Sequence, residues 1–156
     1  MVDIRETSQL STVPDLTQYK KCVIGLDRDG VINVDRGTYT YRPVDFEPIP
    51  GSIEAIARLR NAGSIDAIYY STSSRKNDMF AKPNLGMFKR CQKENPHIKF
   101  NSGFFVGDKI SDMKAAVKIG ARPILVRTGY GLNTERELNK FTYRSIAKKV
   151  SVVDTL

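Results

Sequence analysis

Two aspartates separated by one residue directly follow a short apolar run. Asp27 and Asp29 lie in "CVIGLDRDGVIN", where the apolar residues 22–26 read as a buried strand. In an extended chain, residues two apart point to the same side. One carboxylate can then attack an electrophile while the other moves a proton, and a carboxylate nucleophile is typical of transfer through an aspartyl phosphate. We therefore predict Asp27 as the nucleophile and Asp29 as the general acid and base.

A third aspartate, Asp108, ends the apolar segment "GFFVGD". Because ligands of parallel α/β sheets bind beyond the carboxyl ends of the strands, Asp27, Asp29 and Asp108 are expected at one edge of the sheet. Three carboxylates in one place repel each other unless a cation neutralises them. Mg²⁺ prefers a few carboxylate or carbonyl oxygens together with water and phosphate oxygens. The sequence thus predicts a magnesium site, with Asp112 as a further candidate ligand or a helix-capping residue.

Phosphoryl transfer also needs cations near the phosphate oxygens. Lys82 precedes a helical segment, "KPNLGMFKRCQKENP", and Lys109 follows Asp108 at the start of the helical segment "ISDMKAAVKIG". Helix N-terminal amides favour anions, which supports Lys109 and Asp112 as part of the site. The alternative for both lysines is an ordinary surface position.

Short apolar runs alternate with amphipathic segments along the chain, which is typical of an α/β fold with a mainly parallel sheet. Strands are predicted in "CVIGL", "SIDAIYY", "GFFVGD" and "RPILVRTG". Besides the two segments given above, a helix is predicted in "PGSIEAIARLRNAG", with Ser52 as N-cap and an apolar face of Ile53, Ile56, Ala57 and Leu59. Gly120 should end the "ISDMKAAVKIG" helix. The tail after Tyr130 is predicted as one helix followed by an irregular or short extended end.

The length of 156 residues fits one domain over residues 21–156, without a large cap, preceded by a tail at 1–20. The net charge of +8 favours anionic partners such as a small phosphorylated substrate. No basic tract is dense enough to make nucleic acid a favoured partner, and no apolar run reaches the length of a membrane span. Two distant cysteines and no signal-peptide pattern indicate a cytoplasmic protein with reduced thiols.

Three of these segments resemble motifs of a known family. "GLDRDGVIN", the "KP" before a helix and "FFVGDKISDMKAAVKIGARPILVRTG" look like motifs I, III and IV of the haloacid dehalogenase-like (HAD-like) phosphatases. Within this family, "DRDGVINVDRGTY" and "KPNLGMF" resemble the histidinol-phosphatase branch, most of all the D-glycero-D-manno-heptose 1,7-bisphosphate 7-phosphatases. The likeness covers about residues 21–131 with one large interruption.

The resemblance implies a three-layer, Rossmann-like sandwich and hydrolysis of a sugar phosphate, with heptose bisphosphate as the first candidate. It implies that Mg²⁺ is held by Asp27, Asp108 and the carbonyl of Asp29, and that Lys82 and Lys109 grip phosphate. It also implies a substrate-facing loop of Asp35, Arg36, Gly37 and Thr38.

The chain departs from the family pattern after Gly63, where roughly 30 residues, about one strand–helix unit, are absent. In one interpretation "SIDAIYY" takes the place of the missing strand, and Ser71 or Thr72 supplies the phosphate-binding hydroxyl. In the other, the site is impaired and the chain acts by binding or regulation. A weaker alternative, based on the positive charge, is a phosphatase that processes nucleic-acid ends.

A second departure lies in the loop "STSSRKNDMFA", where family members often carry a zinc cluster. This loop has no cysteine or histidine, so no structural zinc is expected. Ala81 stands where the family often has an arginine before the lysine of "KP", which bears on recognition of a particular sugar phosphate.

Overall fold

The computed structural model describes residues 23–38, 42–61 and 77–156, in which parallel strands and helices alternate. Within these ranges, four strands pair in the order β1-β2-β3-β4: β1 (Ile24–Leu26), β2 (Phe104–Gly107), β3 (Arg122–Val126) and β4 (Ser151–Val153). The helices are α1 (Ser52–Asn61), α2 (Gly86–Glu94), α3 (Ile110–Ile119), α4 (Gly131–Leu138) and α5 (Arg144–Ala147). The predicted α/β class with a parallel sheet is confirmed.

Strand β2 forms the centre of the core because its four residues are buried on both faces, as in other parallel sheets. Phe105 packs edge-on against Phe88 of α2, with ring centroids 5.3 Å apart. On the opposite face, Phe104 and Val106 pack with Val31, beside residues of β3. This packing holds the strands in place, and the predicted site lies at their carboxyl ends.

The register of β1 and β2 brings the ends of both strands to one edge. Leu26 pairs with Val106, and the amide of Asp27 donates to the carbonyl of Val106 at 2.9 Å. Asp27 and Asp108 therefore follow directly from neighbouring parallel strands. This is the arrangement that the sequence predicts from the two apolar segments.

Helix α3 follows the predicted boundaries. Gly120 adopts a left-handed conformation with φ of 80° and ends the helix, as expected for a C-terminal glycine. Met113, Ala115 and Ala116 are fully buried against the sheet. The first turn of α3 is thereby held close to the end of β2.

Helix α1 differs from its prediction at two points. Ser52 is the first helical residue rather than the N-cap, and its buried hydroxyl donates to the carbonyl of Ile32 at 2.9 Å. The hydroxyl is drawn to that carbonyl because the helix start packs against the loop after β1. On the predicted apolar face, Ile56 and Leu59 are half-buried but Ile53 and Ala57 are exposed.

Helix α2 begins at Gly86, four residues later than the segment starting at Lys82 suggested. Residues 81–84 form a turn in which the amide of Asn84 donates to the carbonyl of Ala81 at 2.9 Å. Proline disfavours a helical conformation at the residue before it, so Pro83 keeps Lys82 out of the helix.

The chain after Tyr130 contains more structure than the predicted single helix with an irregular or short extended end. Helices α4 and α5 are separated by a 3₁₀ turn at Phe141–Tyr143, and β4 adds to the sheet beside β3. The break comes where Lys140 is extended, with ψ of 144°. Within the described ranges, every helix is too short or too polar to cross a bilayer.

Several predictions fall on residues 1–22, 39–41 and 62–76, outside the described residues. They are the tail at 1–20, the strand in "SIDAIYY" and the suggested replacement of the missing strand–helix unit.

Candidate active site

Three carboxylates meet at the carboxyl edge of the sheet. Asp27 follows β1, Asp108 follows β2, and Asp112 lies in the first turn of α3. Each offers an oxygen that lies within 4.8 Å of the others. Asp108 and Asp112 are fully buried, whereas the Asp27 side chain is 20% exposed. The structure thus brings the predicted acids Asp27 and Asp108 together with Asp112.

The ammonium group of Lys82 lies between two of these carboxylates. Its Nζ is 2.6 Å from Oδ1 of Asp27 and 2.6 Å from Oδ1 of Asp112. Burial alone would lower the pKa of Lys82, but the attraction of both carboxylates outweighs it and the pKa is raised. Burial, and then repulsion from Asp27, raises the pKa of Asp112. Lys82 consequently stays positively charged and is held between the carboxylates of Asp27 and Asp112.

The two carboxylate oxygens of Asp108 differ in their hydrogen bonding. Oδ2 accepts the amide of Tyr130 at 2.8 Å, while the buried Oδ1 has no hydrogen-bond partner among the described residues. Burial raises the pKa of Asp108 to about 7, against the opposing effects of the Tyr130 amide and Lys109. A buried polar atom without a partner is rare, and a bound ion is one of the arrangements that would satisfy it. The oxygen-only donor set beside it suits Mg²⁺.

The turn after β3 encloses Asp108 and contains no predicted site residue. The hydroxyl of Thr128 donates to the carbonyl of Gly30 at 2.6 Å and so joins the loops after β1 and β3. A side chain at Gly30 or at Gly129, both with positive φ, would collide with the Asp108 carboxylate. The available signal was the position of Thr128, Gly129 and Tyr130 just beyond the end of a parallel strand.

Asp29 is held outside the group of three carboxylates. Arg28 donates to it twice, from Nε to Oδ1 at 3.0 Å and from Nη2 to Oδ2 at 2.7 Å. Asn33 donates from Nδ2 to Oδ1 at 3.2 Å. The sequence singled out neither Arg28 nor Asn33, because their side-chain contacts depend on how the loop folds back.

Lys109 lies at the same edge and is paired with Asp35 of the predicted substrate loop. Its Nζ is 2.7 Å from Oδ2 of Asp35 and 4.8 Å from the centre of the Tyr130 ring. The amide of Gly37 donates to the other oxygen of Asp35 at 2.8 Å. Burial works against ionisation of Asp35, but the hydrogen bonds from Lys109 and Gly37 lower its pKa overall. This loop therefore lies next to the second predicted phosphate-binding lysine.

The other predicted substrate-binding residues lie at exposed positions or outside the described residues. Arg36 is exposed and pairs with Glu47, and Thr38 is exposed. Ser71 and Thr72, the candidate phosphate-binding hydroxyls, lie outside the described residues.

This chain is similar in sequence to known proteins. A family model described as HAD-hydrolase-like matches residues 79–156. A D-glycero-β-D-manno-heptose-1,7-bisphosphate 7-phosphatase of Pseudomonas putida is 34% identical over 154 residues, covering 74% of this chain and 86% of that protein. The protein of the same name from Pseudomonas aeruginosa is 32% identical, covering 70% and 83%. The alignment with the Pseudomonas putida protein spans 154 positions but takes in only 74% of the 156 residues of this chain. The other positions are gaps, so this chain has a deletion relative to that protein.

Two solved structures share the fold. A D,D-heptose 1,7-bisphosphate phosphatase from Burkholderia thailandensis superimposes with a TM-score of 0.59 at 26% identity, covering 86% of this chain and 93% of the other. The enzyme of that name from B. bronchiseptica, determined with magnesium and phosphate, gives a TM-score of 0.73 at 24% identity with the same coverage.

Proposed function

This chain belongs to the HAD-like hydrolase family, and we propose that it is a Mg²⁺-dependent phosphatase that releases phosphate from a small phosphorylated sugar. The observation that supports this best is the meeting of Asp27, Asp108 and Asp112, with a buried oxygen of Asp108 that has no hydrogen-bond partner in the described part of the chain. The names of the curated relatives make a heptose bisphosphate the first candidate substrate.

Asp27, Asp108 and the carbonyl of Asp29 are the proposed ligands of the ion. When bound, Mg²⁺ would offset the charge of the carboxylates and of the phosphate oxygens. Both oxygens of Asp112 are already engaged, one with Lys82 at 2.6 Å and the other with the Lys109 amide at 2.9 Å. We therefore assign Asp112 the role of anchoring Lys82 rather than that of a ligand.

The reaction requires two displacements at phosphorus. An oxygen of Asp27 forms a bond to phosphorus as the ester bond breaks, and Asp29 gives its proton to the leaving alcohol oxygen. Asp29 then takes a proton from a water molecule whose oxygen attacks phosphorus, which breaks the bond to Asp27 and frees inorganic phosphate. Lys82, in contact with Asp27, offers a cation for the phosphate oxygens during both steps.

The test is phosphate release from p-nitrophenyl phosphate and a panel of sugar phosphates, with Mg²⁺ and with EDTA. We expect turnover of at least one sugar phosphate, abolished by EDTA and restored by Mg²⁺. The deletion relative to the curated relative supports a second candidate function, in which an impaired site only binds. Binding of Mg²⁺ and inorganic phosphate without turnover of any substrate would favour that alternative.

Mg²⁺ affinity should depend on pH because of Asp108. Its raised pKa of about 7 means that, below that pH, the ion must displace a proton. Affinity is then expected to fall by up to about tenfold per pH unit below about 7. Isothermal titration calorimetry across this range measures it, and a flat profile down to about pH 5 would contradict the role of Asp108.

The same pKa predicts how the stability of the metal-free protein depends on pH. A carboxyl group whose pKa rises from 3.8 to about 7 on folding binds more protons in the folded state between these values. Its contribution to the free energy of unfolding therefore falls as the pH rises through that window. Mg²⁺ should consequently raise the melting temperature more above pH 7 than below it.

A further inference from the structure

We propose that Asn33 is a positioning residue that holds the carboxylate of Asp29 apart from the metal-binding carboxylates and directs it to proton transfer. This inference rests on the proposed phosphatase function. Asn33 is fully buried, and its Nδ2 donates to Oδ1 of Asp29 at 3.2 Å. Backbone bonds fix the same loop, since the amide of Gly30 donates to the carbonyl of Asn33 at 2.7 Å.

The orientation of the Asn33 amide is set by its other partners. Oδ1 accepts the backbone amide of Glu47 at 2.5 Å, and Nδ2 also donates to the carbonyl of Val34 at 3.0 Å. Rotating the amide by half a turn would place its oxygen against the Val34 carbonyl and its NH₂ group against the Glu47 amide. The buried site therefore permits one orientation only, in which a hydrogen-bond donor faces Asp29.

The second partner of Asp29 is held less firmly. The Arg28 side chain is 49% exposed, so water and phosphate oxygens can compete for its guanidinium group. Asn33 approaches from the buried side and is shielded from such competition. If an anionic substrate binds Arg28, the hydrogen bond from Asn33 still holds Asp29 near the loop. Asp29 then stays outside the group of three metal-site carboxylates described above.

This role predicts a selective defect. The sugar of a sugar phosphate leaves phosphorus as a strongly basic alkoxide unless Asp29 protonates its oxygen, whereas p-nitrophenolate leaves as a stable anion without a proton. General acid catalysis contributes about 10²- to 10⁴-fold, so misplacing Asp29 should affect the sugar phosphate by about that much more. The comparison uses kcat/KM, which reports only the steps up to release of the alcohol.

The experiment measures kcat/KM for both substrates with Asn33→Asp, which keeps the acceptor for Glu47 but turns a carboxylate towards Asp29. If that variant does not fold, Asn33→Ser serves the same comparison. The matched control is Ser52→Ala, which removes a buried hydrogen bond to the same loop at Ile32 without touching Asp29. Mg²⁺ affinity is measured on each protein by calorimetry.

We expect the Asn33 variant to lose about 10²-fold more on the sugar phosphate than on p-nitrophenyl phosphate, without weaker Mg²⁺ binding. Ser52→Ala should reduce both rates by the same factor. An equal loss on both substrates, or weaker Mg²⁺ binding, would overturn the role of Asn33 while leaving the phosphatase function in place. A wild-type protein inactive on both substrates would instead overturn the proposed function.

Discussion

Replacing Asp27 with asparagine is expected to reduce phosphate release by a factor on the order of 10⁴ to 10⁶. The amide cannot form the bond to phosphorus, so the covalent intermediate is lost rather than slowed. The fold should persist because the change removes one of three neighbouring negative charges, and repulsion from Asp27 is among the causes that raise the pKa of Asp112. Steady-state phosphate release and mass spectrometry of the acid-quenched protein measure the two effects.

A matched control is Glu94→Gln, which neutralises an exposed acid paired with Arg90 in α2. It should leave turnover unchanged, since its side chain is exposed in the last turn of α2 and pairs with Arg90 rather than with a residue of the site. A phosphorylated peptide containing residue 27 is expected from the wild type and not from Asp27→Asn. Retention of more than about a hundredth of the activity by Asp27→Asn would rule out Asp27 as the nucleophile.

Replacing Lys82 with methionine should destabilise the metal-free protein by about 3 kcal/mol and also impair turnover. The ammonium group contacts Asp27 and the fully buried Asp112, so its removal leaves buried negative charge without compensation. Added Mg²⁺ supplies part of the missing positive charge. We therefore expect Mg²⁺ to stabilise the variant more strongly than it stabilises the wild type, as measured by urea unfolding.

Lys118→Met is the matched control for this effect. Lys118 is exposed and donates to the carbonyl of Pro83, next to Lys82 in the chain. Its loss should change stability by about 1 kcal/mol or less, with no dependence on Mg²⁺. If Lys82→Met were no less stable than Lys118→Met, or unaffected by Mg²⁺, Lys82 would not be neutralising the buried carboxylates.

The part of the site that follows from local sequence was predictable. Asp27 and Asp108 each end an apolar segment, and the parallel pairing of β1 and β2 places them together. Gly120 as a helix end has a similarly local cause in its left-handed conformation. Such features need only a pattern of neighbours and the geometry of parallel sheets.

The remaining parts depend on contacts between distant segments. Thr128 reaches Gly30 across 98 positions, and Asn33 is fixed by the amide of Glu47. The residue type of Ser52 predicts an N-cap, but its hydroxyl donates to the loop after β1. Local periodicity carries no information about such partners, so these roles emerge only from the folded chain.

The most direct test of the central claim is a crystal structure of the protein with Mg²⁺ and beryllium fluoride, an analogue of the transferred phosphoryl group. We predict beryllium bonded to a carboxylate oxygen of Asp27, with Mg²⁺ bound by Asp27 and by Oδ1 of Asp108. A structure in which both ions bind elsewhere, or in which Asp108 Oδ1 stays without a partner under saturating Mg²⁺, would contradict it.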